Sequence, residues 1–401
     1  MNLLQTLRLL FATGVFCVWS PGADRGVLAA DEPTSSGPIR RYDGRTLEEW
    51  RRDIQLLDFQ SPDRAAVVPG LREIILDPEA PWFTRRQAAL TLGRIGAPGG
   101  DVVKDLARLL DEKADPVETA PPLWALKALA LFGPLAREAA PRAAAILHDE
   151  QRPIILRMTA TETLGRIGIA SAEGIAELIE GAAGRLGDDL DLRIASLEAL
   201  QLAKPPSAVP VLIAASNDPS ERVRYAAATT LGFFGSHAEP AAEGLGSLVL
   251  SDEVPIVREA AARSLAQVGP RGIEILLQLV RSGDVEVQLL AIDGAGRVTA
   301  YQSRLAEGLA PVFDDRSAIV AARAMDAYWR LARRPQPILN RLVRLLEDDD
   351  RQVKKAASDT LMAMGIAAAP ARPELERLSD SADPQTRTAA NRVLRSIPSP
   401  D

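Results

Sequence analysis

Residues 224–235 read RYAAATTLGFFG, and this pattern returns along the chain. Arg157–Gly168 reads RMTATETLGRIG, Arg258–Gly269 reads REAAARSLAQVG and Arg86–Gly96 reads RQAALTLGRIG. Taking the first residue of the pattern as an anchor gives ten copies, at Arg85, Pro122, Arg157, Arg193, Arg224, Arg258, Gln288, Ala321, Lys354 and Arg387. Their spacings are 37, 35, 36, 31, 34, 30, 33, 33 and 33 residues. Self-similarity at a nearly fixed period marks a repeat array rather than one compact core.

Three columns of this internal alignment carry physical meaning when the anchor is counted as position 0. Position 3 is small in all ten copies: Ala88, Ala125, Ala160, Ser196, Ala227, Ala261, Ala291, Ala324, Ala357 and Ala390. Position 7 is Leu in eight copies, from Leu92 to Leu394, with Ala295 and Tyr328 as exceptions. Position 10 is apolar throughout, from Ile95 to Ile397. Spacings of 3, 7 and 10 share one face of a 3.6-residue helix, so these columns form its core stripe. A small residue recurring at position 3 requires close approach of a second helix. The Gly that often follows (Gly96, Gly133, Gly168, Gly235, Gly269 and Gly365) predicts a left-handed helix stop.

Between these helices lie further helical segments, such as 101–111, 172–186, 208–216, 273–281 and 337–347. Several contain Pro near their start, at Pro141, Pro210, Pro240, Pro337 and Pro370, which predicts kinks. Acidic turns such as Asn217-Asp218-Pro219, Asp348-Asp349-Asp350 and Asp383-Pro384 separate the two helices of a unit. The regular pattern starts at Thr46, an N-cap completed into a capping box by Glu49, with Leu47, Trp50 and Ile54 on one face.

Composition agrees with an all-helical array. The chain has 401 residues, with aromatics at 4% and charged residues at 25%. Few aromatics fit poorly with a β-sandwich, and ordinary charge content argues against disorder over most of the length. The formal net charge is −7. An acidic chain is badly suited to nucleic acid, whose affinity comes from Lys and Arg neutralising phosphates.

The first thirty residues differ from the rest. Arg8 precedes an apolar run from Leu9 to Trp19, then Ser20–Gly26, then Val27-Leu28-Ala29-Ala30. That is the layout of a secretory signal, with cleavage expected near Ala29 or Ala30. The run of 11 residues is short of the roughly 20 needed to span a bilayer, so no stable membrane span is expected. Cleavage removes Cys17, the only cysteine, and leaves a net charge of −8 through loss of Arg8, Asp24 and Arg25. The expected organisation is a signal over 1–30, a disordered linker over 31–45 and a repeat array over 46–398, in the periplasm or outside the cell.

A kinked first helix, an Asp-containing turn and then Val-Arg-x-Ala-Ala-x-x-x-Leu-Gly resembles the HEAT-repeat family. The short period resembles the repeats of the phycobilisome-lyase type, and the resemblance covers residues 46–397. It implies an all-α, right-handed α-solenoid of about ten helical hairpins, with kinked first helices outside and second helices lining the concave side. It also implies that the anchor cations Arg157, Arg193, Arg224, Arg258, Lys354 and Arg387 bond the acidic turn of a neighbouring repeat. Gln288 and Ala321 depart from that column, and Thr299 and Ala332 replace the terminal Gly, so these units are expected to be bent or loosely stacked.

No constellation for catalysis, a cofactor or a metal stands out. The only histidines, His148 and His237, have no Cys, His or carboxylate at ligand spacing on one helix. The deoxyhypusine hydroxylases, which resemble this architecture, hold iron through His-Glu pairs, and no His-Glu dipeptide occurs here. Phosphate loops and nucleophile elbows are absent from the sequence. Glu347 to Asp350 lacks the Gly and alternating ligands of a calcium loop.

Function is therefore sought on the surface. Positions 1, 5 and 9 are expected to face away from the core. They read Leu123-Lys127-Leu131, Met158-Glu162-Arg166, Ile194-Glu198-Leu202 and Tyr225-Thr229-Phe233 in repeats two to five. Later repeats are charged there. The expectation is a non-enzymatic scaffold that binds a protein or peptide partner along the concave face. The candidate patch is Leu123, Lys127, Leu131, Met158, Glu162, Ile194, Glu198, Leu202, Tyr225 and Phe233. The alternative is an enzyme or cofactor-binding protein built on the same scaffold.

Overall fold

The computed structural model describes residues 40–96, 100–113, 116, 117, 119–298 and 300–397. The expected signal over 1–30, and residues 31–39 of the expected linker, lie outside them. Within the described residues every long element is helical, and the one β contact is an isolated bridge between Tyr42 and Arg45.

The second helices of the ten hairpins are Trp82–Ile95, Pro121–Phe132, Ile154–Ile167, Leu190–Ala203, Glu221–Phe234, Pro255–Leu265, Val285–Ala295, Ala318–Ala332, Arg351–Met364 and Pro384–Leu394. Each carries one sequence anchor. The first helices run from Val68–Leu76 through Gly100–Arg108, Ala140–His148, Ala172–Ala182 and Val209–Ala215 to Ala242–Ser251, Pro270–Leu279, Gln302–Leu309, Leu339–Arg344 and Arg372–Ser379. Contacts run within a hairpin and to the adjacent hairpins, the nearest-neighbour arrangement of a solenoid. Several first helices begin as a 3-10 turn that passes into α-helix, as at Gly133–Ala139, Gly235–Ala241 and Gly365–Ala371. Pro141 and Pro210 then sit in the first α turn, where an amide hydrogen is not needed.

The core stripe is where the periodicity puts it. All ten position-3 residues are fully buried. This column faces the partner helix of its own hairpin: a Cβ on Gly181 would lie 2.3 Å from Ser196 Oγ. Two further columns hold successive hairpins together. Position 8 of one repeat meets position 6 of the next. A Cβ on Gly165 would sit 2.9 Å from Ala199 Cα, and one on Gly93 2.8 Å from the Ala128 carbonyl. Position-6 hydroxyls donate across the same seam, from Thr163 to the Leu126 carbonyl at 3.1 Å and from Ser264 to the Ala228 carbonyl at 2.7 Å.

The anchor cations form the expected ladder, with an added contact. The arginines from Arg85 to Arg258 reach back to a carbonyl of their own first helix or of the turn after it, and forward to the turn of the next repeat. Arg85 donates to the Ile75 carbonyl and to Glu112; Arg258 donates to the Val249 carbonyl and to Glu286. Arg193 pairs with Asp218 at 2.6 Å, and Lys354 with Asp383. Arg157 meets the Leu186 carbonyl instead of an acid. Gln288 keeps both contacts, to the Val280 carbonyl and to Asp315. Loose stacking expected from that substitution does not follow, because an amide reaches the same two acceptors. Arg387 bonds the Ser381 carbonyl of its own turn and, among the described residues, no acid of another repeat.

The predicted left-handed stops hold in φ but not all in ψ. Gly96 is left-handed (φ 61°, ψ 31°), whereas Gly133, Gly168, Gly235 and Gly365 pair φ of 55–65° with ψ of −125° to −148°. Only a residue without Cβ adopts that combination without strain.

The array begins earlier than expected. Tyr42 is buried, accepts a 2.8 Å bond from Trp50 Nε1 at its carbonyl, and donates its hydroxyl to Asp77. Arg40 also bonds Asp77. Residues 40–45 are thus packed rather than linker, because Trp50 and the first hairpin need an end cap. Burial and the bond to Asp77 push the Tyr42 phenol up to about 12.

Candidate interaction surface

Successive second helices, laid side by side, leave one outward face. At about 100° per residue, the seam positions 8 and 6 lie about 80° and 240° round the helix from the anchor. Midway between them the helix faces neither neighbour. Positions 5 and 9 fall about 20° either side of that line, whereas position 1 lies about 20° from a seam. Position 9 is accordingly exposed in nine successive repeats, from Arg94 to Ala363, and position 1 is covered in several.

This sorts the expected patch. Leu131, Leu202 and Phe233, all at position 9, are 40%, 53% and 48% exposed. Tyr225, Lys127 and Glu198 are exposed, and Glu162 is half-buried. Leu123 is a core residue at 7% exposure and does not belong to a surface patch. Met158 and Ile194 are half-buried and pack against the core. All three occupy position 1, on the seam with the next repeat, which covers them.

The apolar residues alternate with charge. Lys127 is accessible, but the helices around it displace water and push its ammonium down. Arg86 adds to that shift and Glu162 opposes it. Glu162 pairs with Arg166 at 2.9 Å. Lys204 Nζ lies 6.0 Å from the Phe233 ring, joining repeats four and five. Trp82, 39% exposed with Arg86 over its ring, extends the surface toward the N-terminus.

In repeats seven to nine the face turns polar. Asp293–Arg297 and Asp326–Arg330 pair along their helices. Two grooves open there, with volumes of about 480 Å3 between repeats six and eight and about 600 Å3 between repeats eight and nine. Trp329 floors the second groove. It was missed from sequence, although it stands at seam position 8, which is Gly in four other repeats. The histidines lie elsewhere: His148 ends a first helix, with Nδ1 3.3 Å from Glu177, and His237 is exposed in a 3-10 turn. Among the described residues no three His, Cys, Asp or Glu side chains are grouped to hold a metal, and no helix is long and apolar enough to cross a membrane. Asp348 and Asp350 serve as acceptors for turn and cap amides.

The HEAT repeat family matches residues 175–266, and the PBS lyase HEAT-like repeat matches residues 257–282. The ten hairpins carry the same unit beyond that segment in both directions. Residues 175–282 are HEAT repeats. Curated proteins give no sequence match. Among solved structures, the chain is similar to an engineered protein at 21% identity (88% of this chain, 95% of that one, TM-score 0.38). It is similar to the complex of CpcE and CpcF of phycocyanin lyase from Nostoc sp. PCC7120 at 19% identity (75% and 98%, TM-score 0.35). Kap95p, solved bound to RanGDP, is 15% identical over 87% of this chain and 57% of that one, with a TM-score of 0.37.

Proposed function

We propose that this protein is a non-enzymatic scaffold, exported from the cytoplasm, that holds a protein partner along the outward face of its second helices. The observation that carries the reading is the row of Leu131, Leu202 and Phe233. Three large apolar side chains stand 40–53% exposed at one position of repeats two, four and five, with the exposed Arg166 between them in repeat three. Second helices packed about 8–10 Å apart spread that row over roughly 30 Å. An apolar row of this length with interleaved charge is the make-up of a recognition surface.

The non-enzymatic part rests on the placement of the histidines, both away from this face. Export rests on the signal layout of residues 1–30. Leu131→Asp combined with Phe233→Asp is the test, with partner capture from the exported fraction as the readout and helical circular dichroism as the control. Loss of the captured protein at unchanged helicity supports the reading; undiminished capture overturns it. Mass spectrometry of the purified exported chain should find its N-terminus at residue 30 or 31.

A further inference from the structure

The groove between repeats eight and nine differs from the rest of the face in its charge. Asp326 is occupied by Arg330 on the same helix, and Asp359 by Arg392 of the following repeat at 3.3 Å. Arg323, Arg333 and Lys355 also line this groove. Among the described residues none of these three pairs with a carboxylate. The chain as a whole carries a net charge of −7, so a local surplus of three cations does not follow from composition. The floor is fixed in advance. The Trp329 indole donates to the Ala363 carbonyl of the next repeat at 3.3 Å, and the Arg333 guanidinium lies 5.3 Å over its ring. Trp329 is only 6% exposed, so its position is set by packing before anything enters the groove.

We infer that this groove seats an acidic peptide segment. Three uncompensated cations around an aromatic floor match a short run of Asp or Glu carrying an occasional apolar side chain, a mode in which Arg clusters read acidic motifs. A volume of about 600 Å3 is within the range of pockets that enclose part of a ligand. Nucleic acid fits less well. Its backbone needs many Lys and Arg along a track, and here carboxylates interrupt the cations after three. The site is separate from the apolar row of repeats two to five and stands whether or not that row has a partner.

The test uses the full chain and a short fluorescein-labelled Glu-Leu peptide, read by anisotropy at low salt and at about 0.15 M ionic strength. The expected result is saturable binding that weakens with salt and falls by about tenfold or more in Arg323→Glu/Lys355→Glu. Lys104→Glu/Arg137→Glu changes the net charge equally at a distance and should leave binding within about twofold, as should Leu131→Asp/Phe233→Asp. If the reversed variant loses its helical signal, the neutral Arg323→Gln/Lys355→Gln decides, with a smaller loss expected. Absence of saturable binding, equal binding by folded groove variants, or tighter binding of a short DNA duplex through the same residues overturns the assignment. Displacement of the peptide by inorganic phosphate alone, at concentrations equal to the peptide's, also overturns it.

Discussion

The Arg224 guanidinium holds the Asp252 carboxylate with two hydrogen bonds, of 2.7 and 3.0 Å, across the junction between repeats five and six. Its third nitrogen bonds the carbonyls of Asp218 and Pro219, so one side chain ties its own turn to the next. Both side chains are largely sequestered, at 11% and 3% exposure. Removing one partner strands the other, and a largely buried unpaired carboxylate is costly. Arg224→Ala should destabilise by about 2–4 kcal/mol in urea unfolding. Arg387→Ala, whose guanidinium among the described residues bonds the Ser381 carbonyl of its own turn, should cost less than about 1 kcal/mol. Equal losses would show that the ladder contributes nothing across junctions.

The same rung predicts acid sensitivity of a definite sign. Burial pushes the Asp252 carboxyl up, but hydrogen bonds from Arg224 and the Val254 amide, with the charges of Arg224 and Arg258, outweigh it and leave it below the usual carboxylate range. Its folded value is therefore below its unfolded value. The stabilisation is present above the unfolded carboxylate pKa of about 4 and drains away as pH falls toward the folded one. Asp383, held down first by Lys354, acts in the same direction. Thermal melts of the wild type should decline between pH 5 and 3, about the unfolded carboxylate value. Asp252→Asn should start lower at neutral pH and decline less steeply. Parallel curves would remove Asp252 from the acid response.

The repeat array is legible in the sequence because anchor, small and apolar residues recur in register and repetition averages out local exceptions, while the bonding of the ladder is what the HEAT resemblance implies. Gln288 shows where residue-type reasoning fell short: a neutral amide reaches both acceptors of the cation it replaces. The surface was read less well. Three helical columns oppose the core stripe and so read as outward in the sequence, but a second helix in this array has two lateral neighbours besides its own partner. That places Leu123, Met158 and Ile194 on a seam. The signal for it was present, in the Gly of Leu-Gly at position 8 and the Thr or Ser at position 6. Trp329 stands out only once position 8 is recognised as a seam.

The seam makes two glycine substitutions differ in sign. Gly165 and Gly244 are both helical, so Ala at either gains up to about 1 kcal/mol of helix propensity. At Gly244 a Cβ meets nothing within 4 Å. At Gly165 it lies 2.9 Å from three atoms of Ala199, two of them backbone. Backbone does not move aside cheaply, and overpacking costs about 1–3 kcal/mol. Gly244→Ala should raise the melting temperature and Gly165→Ala should lower it. A rise in both would mean that the hairpins separate at the seam without penalty.

The outward line on the second helices can be tested by comparing Leu123 with Phe233. Both were expected on one surface, yet Leu123 is 7% exposed and Phe233 48%. An Asp at Leu123 places a charge against the core next to Pro122 and Trp124, both buried. It should cost about 3–5 kcal/mol or prevent folding of the second repeat. An Asp at Phe233 leaves its carboxylate in water near Lys204 and should change stability by no more than about 1 kcal/mol. Urea midpoints of the two single variants read the difference directly. Similar midpoints would mean that position 1 faces solvent after all, and the apolar surface would then extend across Leu123, Met158 and Ile194 as well as Leu131, Leu202 and Phe233.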